Sequence, residues 1–140
     1  MSPKLTYPDS GVLIAGSRGE SHLSERALRL LDDPEREFAA STFLRLEVIP
    51  KATFHKQTEE VAYYESFFAA VTKWSAITDR LMQEAFDICA TYGLNAVDGL
   101  HVASAVSVGA EELITTERLE KPIYRVAGIK VVSLLAVPIS

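Results

Sequence analysis

The sequence predicts an α/β domain with a mainly parallel central sheet flanked by helices, and three observations carry that prediction. Short β-type segments alternate with helix-type segments, the order in which parallel sheets are built. Two helix-type segments, 79–92 and 96–108, close on Gly93 and Gly109, where a helix commonly ends in a left-handed residue. No repeat, low-complexity tract or linker interrupts the pattern, so residues 1–140 read as one domain.

Each element has its own signal. Residues 4–7 read as a strand stopped by Pro8-Asp9-Ser10-Gly11, a turn or helix-start cluster. An apolar run over residues 11–15 then enters a short helix. Residues 21–31 read as a second helix, with Leu23, Ala27, Leu28, Leu30 and Leu31 on one broad face, ended by Asp32-Asp33-Pro34. Residues 37–40 read as a brief strand, and Ser41 or Thr42 caps the helix that follows. That helix runs through Phe43, Leu44, Leu46 and Ile49, and Pro50 is expected to bend or end it. A polar connector leads to a helix carrying Val61, Tyr63, Tyr64, Phe67 and Phe68. Residues 73–77 alternate polar and apolar and read as a strand. Two more strands are expected at 113–115 and 130–134.

Composition narrows the functional classes. The chain is 48% hydrophobic and 24% charged, the balance of a folded domain rather than a disordered one. Its net charge of -5 provides no basic face, so contact with nucleic acid must be local or bridged by metal ions. Cys89 is the only cysteine, which excludes an internal disulfide or a thiolate zinc site. No apolar run approaches the roughly 18–20 residues of a membrane span, and the N-terminus lacks a signal-peptide stretch, so the cytoplasm is the expected location. Phosphate-cradling glycine loops, dinucleotide fingerprints and a Gly-x-Ser-x-Gly elbow are all missing.

The informative residues are acids placed where a core-forming segment prefers apolar groups. Asp9 follows the first strand and so lies at a carboxyl end, where sheets of this class collect polar ligands; by itself it reads first as a turn or cap residue. Glu47 lies four residues after Phe43 and three after Leu44, on their side of the helix. A carboxylate there is either paired, metal-bound or at an edge reaching water. Asp98 opens Asp98-Gly99-Leu100-His101-Val102-Ala103-Ser104-Ala105. A first-turn acid is favoured by the helix dipole by less than about 1 kcal/mol, but Gly99 beside it suggests close approach of a backbone or a ligand. His101, one turn on, reads as a structural hydrogen-bonding residue.

Taken together these segments resemble the PIN-domain family (PilT N-terminal type), which includes VapC-like toxin ribonucleases. Asp9-Ser10-Gly11-Val12-Leu13-Ile14 is similar to the family's opening Asp-Ser/Thr-Asn-Val-Leu-Ile motif. Residues 41–47 resemble its second block, a small hydroxyl residue before a helical glutamate. Residues 96–105 resemble its third, an aspartate leading a small-residue helix. Leu113-Ile114-Thr115-Thr116-Glu117 resembles the fourth, in which a strand ends in Thr-x-Asp, and residues 129–134 fit the closing strand. Glycine replaces the usual asparagine at Gly11. Glu117 stands in place of aspartate, and Leu119 stands where a second acid often follows.

The resemblance implies a pocket in which Asp9, Glu47, Asp98 and Glu117 hold one or two divalent cations, with Asp9, Glu47 and Asp98 indispensable for catalysis. Ser10, Ser41 and Thr115 are implied as residues that orient the ligands. Two carboxylates about 4 Å apart repel by roughly 4 kcal/mol at an effective dielectric of 20, so such a cluster requires cations or raised pKa values. Oxygen ligands without nearby cysteine or histidine favour Mg²⁺ or Mn²⁺ over zinc. The implied activity is metal-dependent endoribonuclease cleavage of RNA, as the toxin of a toxin-antitoxin pair. The implied partners are an RNA substrate, a small antitoxin protein and a second copy in a homodimer. The alternative is a catalytically weakened PIN-like module that binds nucleic acid or protein, which Glu117 favours. A phospho-accepting signalling domain would need paired acids after the first strand, and Asp9 has no acidic neighbour.

Overall fold

The computed structural model describes residues 2–19 and 22–137. Its strands are β1 (Lys4–Pro8), β2 (Arg36–Ser41), β3 (Lys73–Ser75), β4 (Glu112–Thr115) and β5 (Lys130–Ser133). They form one sheet in the order β3-β2-β1-β4-β5, and every pairing is parallel. The helices are α1 (Ser10–Arg18), α2 (His22–Leu31), α3 (Thr42–Phe54), α4 (Thr58–Ala70), α5 (Asp79–Tyr92) and α6 (Ala96–Ser107), with short 3-10 turns at Pro122–Arg125 and Leu134–Ala136. The α/β architecture expected from the sequence is present. Ser21, expected to open the second helix, lies outside the described residues.

Strand order decides where a site can form. The chain steps outward from β1 to β2 to β3, then returns to set β4 on the other side of β1. Connections leave β1 and β4 toward opposite sides, so a crevice opens at their carboxyl ends. A parallel sheet must be covered on both faces, and neighbouring residues divide between the two sides. On β4, Leu113 packs into the larger core with Tyr7, Phe38, Leu44 and Val102, while Ile114 joins Val12, Ala27, Leu30 and Leu134. Each such buried aliphatic side chain contributes about 1.5–3 kcal/mol. Tyr64 and Phe68 are buried and Tyr63 and Phe67 pack partly against them, so the aromatic helix supplies core.

Of the expectations about elements, the choice between a bend and an end at Pro50 is decided against an end, and the strand over 73–77 is shortened. α3 runs through Pro50 to Phe54 without ending there. Pro50 and Leu46 both lie exposed, so water can satisfy the Leu46 carbonyl that loses its amide partner, and buried Val48 and Ala52 hold the helix down on either side. The strand expected over 73–77 is three residues long, and Ile77 lies outside it, exposed.

The opposite end of the sheet, at the starts of β2 and β4, is closed by charge. Buried Glu112 accepts from Thr6 Oγ1 at 3.0 Å and pairs with Arg36 Nη2 at 3.1 Å, while Arg36 also holds Asp33 at 2.7 Å. Among the described residues no helix is long and apolar enough to cross a membrane.

Candidate active site

Asp9 is the first residue after β1, and its position is fixed from two directions. Its backbone N–H donates to the Ile114 carbonyl of β4 at 2.9 Å, and its extended backbone makes it the N-cap of α1. The Asp9 Oδ1 accepts from the Val12 N–H at 3.2 Å. Thr115, the last residue of β4, hydrogen-bonds the same carboxylate, and its Oγ1 accepts from the Glu117 N–H at 3.1 Å. Asp9 is only 8% exposed. Burial pushes its pKa up to about 6; the Thr115 hydroxyl, His101 and the Val12 N–H oppose that rise, and Asp98 reinforces it.

Asp98 enters from the start of α6, across the crevice. Asn95 caps that helix, its Oδ1 accepting from the Asp98 N–H at 2.8 Å while its Nδ2 donates to Asp98 Oδ2 at 3.3 Å. Burial raises the Asp98 pKa and the charge of Glu117 raises it further, with His101, Asn95 and Lys121 opposing. Gly99 is explained by packing and not by a ligand. A side chain there would collide with Cys89 Sγ and press on the Ala85 carbonyl, so the glycine lets α5 and α6 meet closely. Cys89 donates its thiol to the Asn95 carbonyl.

Glu47 belongs to a second, connected group. His101 Nε2 hydrogen-bonds Glu47 Oε1, and Ser10 Oγ lies 3.5 Å from Glu47 Oε2. His101 Nδ1 bonds the Tyr7 hydroxyl at 2.8 Å, which also meets Ser41 Oγ at 2.8 Å. Ser41 is wholly buried, caps α3 by accepting from the Leu44 N–H at 3.0 Å, and lies toward Tyr7. His101 therefore makes the structural hydrogen bonds expected of it. The expectation that no histidine stands near the acids is corrected: a buried imidazole sits on Glu47. Because Nε2 is engaged there and Nδ1 by Tyr7, the groups left to face an ion are still oxygens.

The crevice thus brings Asp9, Asp98, Glu117 and Thr115 into one electrostatic neighbourhood, with Glu47 and Ser10 linked to it through His101. Among the described residues, no three His, Cys, Asp or Glu side chains converge closely enough to form a ready-made metal cage. The donor set still fits a hard divalent cation. Mg²⁺ keeps several waters and is held by one or two carboxylates, and the burial that raises the pKa of both Asp9 and Asp98 is a cost that a bound cation would offset. Of the basic residues near the second block, Arg45 is tied to Glu65 at 2.9 Å. Exposed Lys51 and His55 line a groove between α1, α3 and α4 that includes Glu47.

Sequence reasoning missed Tyr7, Asn95 and Lys121 here. Asn95 had a legible signal, a cap residue three positions before an acid. Tyr7 had a weaker one, since a phenol in a buried strand needs a partner for its hydroxyl.

A family model for the PIN domain matches residues 6–127. Among curated proteins none matches the chain. Solved structures with a similar fold include a toxin-antitoxin complex from Klebsiella pneumoniae, with a TM-score of 0.70 and 20% identity over 92% of this chain and 97% of that one. DNA-bound VapBC from Salmonella typhimurium superposes with a TM-score of 0.69 and 16% identity, covering 94% and 98%. VapC20 from Mycobacterium tuberculosis, a sarcin-ricin loop cleaving toxin, gives 0.63 and 14%, covering 77% and 86%. Identities this low speak for the fold alone, whereas the family match spans most of the sequence. The chain belongs to the PIN domain family.

Proposed function

We propose that this protein is a Mg²⁺- or Mn²⁺-dependent endoribonuclease of the VapC type, acting in the cytoplasm as the toxin of a toxin-antitoxin pair. The observation that carries the reading is that the β1–β4 crevice holds buried Asp9 and half-buried Asp98, each with its pKa raised chiefly by burial, with the charge of Asp98 felt at Asp9 and that of Glu117 felt at Asp98. Acids withdrawn from water in one crevice, with no arginine ion pair to either among the described residues, suit a cation.

Asp9 and Asp98 would hold that ion, with Glu117, whose charge acts on Asp98, and Glu47 as the further acids of the crevice. When bound, the ion supplies positive charge at a phosphodiester and a more acidic water. The rest is the work of the chain. Thr115 orients the Asp9 carboxylate, Asn95 fixes Asp98 at the start of α6, and Ser10 lies beside Glu47. Lys51 and His55 on the adjoining groove can meet RNA phosphates. An antitoxin and a second copy of the chain are the partners in this proposal. Exposed Leu46 and Phe54 on α3, and Met82 and Phe86 one turn apart on α5, offer apolar surface for such contacts.

The test is incubation of the purified protein with a pool of structured RNAs in Mn²⁺, in Mg²⁺ and in EDTA. Cleavage that needs the metal supports the nuclease, and equal cleavage in EDTA contradicts it. A PIN-like binding module without turnover is the second reading, favoured by Glu117 in the fourth position and by the absence of a preformed cage among the described residues. Stabilisation by Mn²⁺ without cleavage of any RNA would select it.

A further inference from the structure

The proton positions along Ser41, Tyr7, His101 and Glu47 follow from two fixed ends. At one end the Leu44 N–H donates to Ser41 Oγ, so the Ser41 hydroxyl hydrogen is free to point at the Tyr7 oxygen. At the other end the Glu47 carboxylate accepts from His101 Nε2. Nε2 donates to Glu47 whether the imidazole is neutral or protonated; in the neutral ring Nδ1 then accepts from the Tyr7 hydroxyl, and in the protonated ring it donates to the same oxygen. Every link then has one donor and one acceptor. Ser41, Tyr7 and His101 are buried, and the Tyr7 and Phe43 rings both tilt against the imidazole, at centroid distances of 5.6 Å and 5.3 Å. His101 therefore has little freedom to turn, and Glu47, bonded to it, has little freedom to choose a rotamer.

We infer that His101 is a positioning residue for the catalytic site: through its Nε2–H, with the tautomer set by Tyr7, it holds Glu47 in one orientation with Oε2 turned toward Ser10. The inference rests on the reading of Glu47 as an active-site acid. It assigns a role to a histidine that would otherwise be only a polar group in the core. Outer hydrogen-bond partners that orient ligating side chains affect metal affinity or activity by about 10–100-fold.

The chemistry distinguishes between conservative replacements. A glutamine amide can reach the place of Nε2 and donate to Glu47, whereas leucine fills the space without a donor. His101→Gln and His101→Leu are compared with the wild-type protein and with Glu47→Gln, by Mn²⁺ titration followed as thermal stabilisation and by single-turnover RNA cleavage. The tautomer is read separately from long-range ¹H–¹⁵N spectra of the imidazole in the wild type and in Tyr7→Phe.

The inference expects His101→Leu to weaken Mn²⁺ binding or to lower the cleavage rate by about 10–100-fold, His101→Gln to recover most of that loss, and the wild type to show a single Nε2–H tautomer that Tyr7→Phe turns into a mixture. Equal losses in His101→Gln and His101→Leu, no loss in His101→Leu, or an Nδ1–H imidazole in the wild type would each overturn it. A Glu47→Gln variant with wild-type metal binding and cleavage would overturn the reading of Glu47 itself. An inactive Glu47→Gln beside a fully active His101→Leu would overturn only the role of His101. The spectra report on the tautomer even if no RNA is cut.

Discussion

The hydroxyl of Thr116, just beyond β4, occupies the space where a side chain on Gly11 would begin, and the Asp9 Oδ1 borders the same space at 3.3 Å. Gly11 lies in the first turn of α1, so the glycine and the threonine form one fitted pair across the mouth of the crevice. In an unobstructed helix Gly→Ala stabilises by nearly 1 kcal/mol. Here the clash should dominate, and Gly11→Ala should destabilise by about 1–2 kcal/mol. In a Thr116→Ala background, which removes the hydroxyl but leaves the residue 116 Cβ at 3.2 Å and Asp9 Oδ1 at 3.3 Å, most of that cost should disappear. Denaturant midpoints of the wild type, the two single variants and the double variant check this; an identical effect in both backgrounds would contradict the pairing.

Asp9 makes the metal-free protein sensitive to pH in a direction that can be worked out. Its folded pKa of about 6 lies above the ordinary 3.8, so the folded state binds the proton more tightly than the unfolded chain. Protonation therefore contributes stability that is complete below about pH 4 and is lost as pH rises through 6. The loss attributable to Asp9 is roughly 2–3 kcal/mol. In EDTA, Asp9→Asn should gain on the wild type by that amount between pH 4 and pH 6 or 7. A stability difference that does not change with pH would show that the carboxylate is not buried as described.

The fold was legible where periodicity and stop signals coincided. Gly93 lies left-handed at φ 72° after Tyr92, where the sequence placed it, and α5 has the expected bounds. Pro50 left a bend and an end both open in the sequence, and the helix does not end there because α3 is held on both sides of it by buried Val48 and Ala52. Asp9, Glu47 and Asp98 stood out as acids on apolar segments, which is a one-dimensional signal. The partners that set their geometry could not be read in that way. Tyr7, His101 and Ser41 are linked across sequence separations of 94 and 34 residues, and only the strand order β2-β1-β4 brings them to the same end of the sheet.

The ion cluster at the strand starts should govern stability without touching the chemistry. Glu112→Ala removes the buried acceptor of Thr6 and the main partner of Arg36, although Asp33 still holds the guanidinium. A loss on the order of 3 kcal/mol is expected, with metal affinity at the crevice unchanged while the protein remains folded. Thermal unfolding together with Mn²⁺ titration would show it; a matching drop in metal affinity would mean that the two ends of the sheet are coupled.

Asn95 should contribute to both. Asn95→Ala removes the N-cap of α6, at a cost of about 1 kcal/mol, and frees the Asp98 carboxylate from its side-chain donor. Mn²⁺ should bind more weakly to this variant, whereas Asn95→Asp should keep the cap and add a charge beside Asp98. Equal Mn²⁺ affinity in Asn95→Ala and the wild type would show that the cap does not orient Asp98.

The central claim is that Asp98 and Asp9 form a metal-dependent ribonuclease site, and single-turnover RNA cleavage by the wild type and Asp98→Asn in Mn²⁺ tests it most directly. The two proteins are matched for folding by circular dichroism. The account predicts cleavage by the wild type that EDTA abolishes, and a loss of at least about 100-fold in Asp98→Asn with the fold intact. Cleavage by Asp98→Asn at the wild-type rate would contradict it.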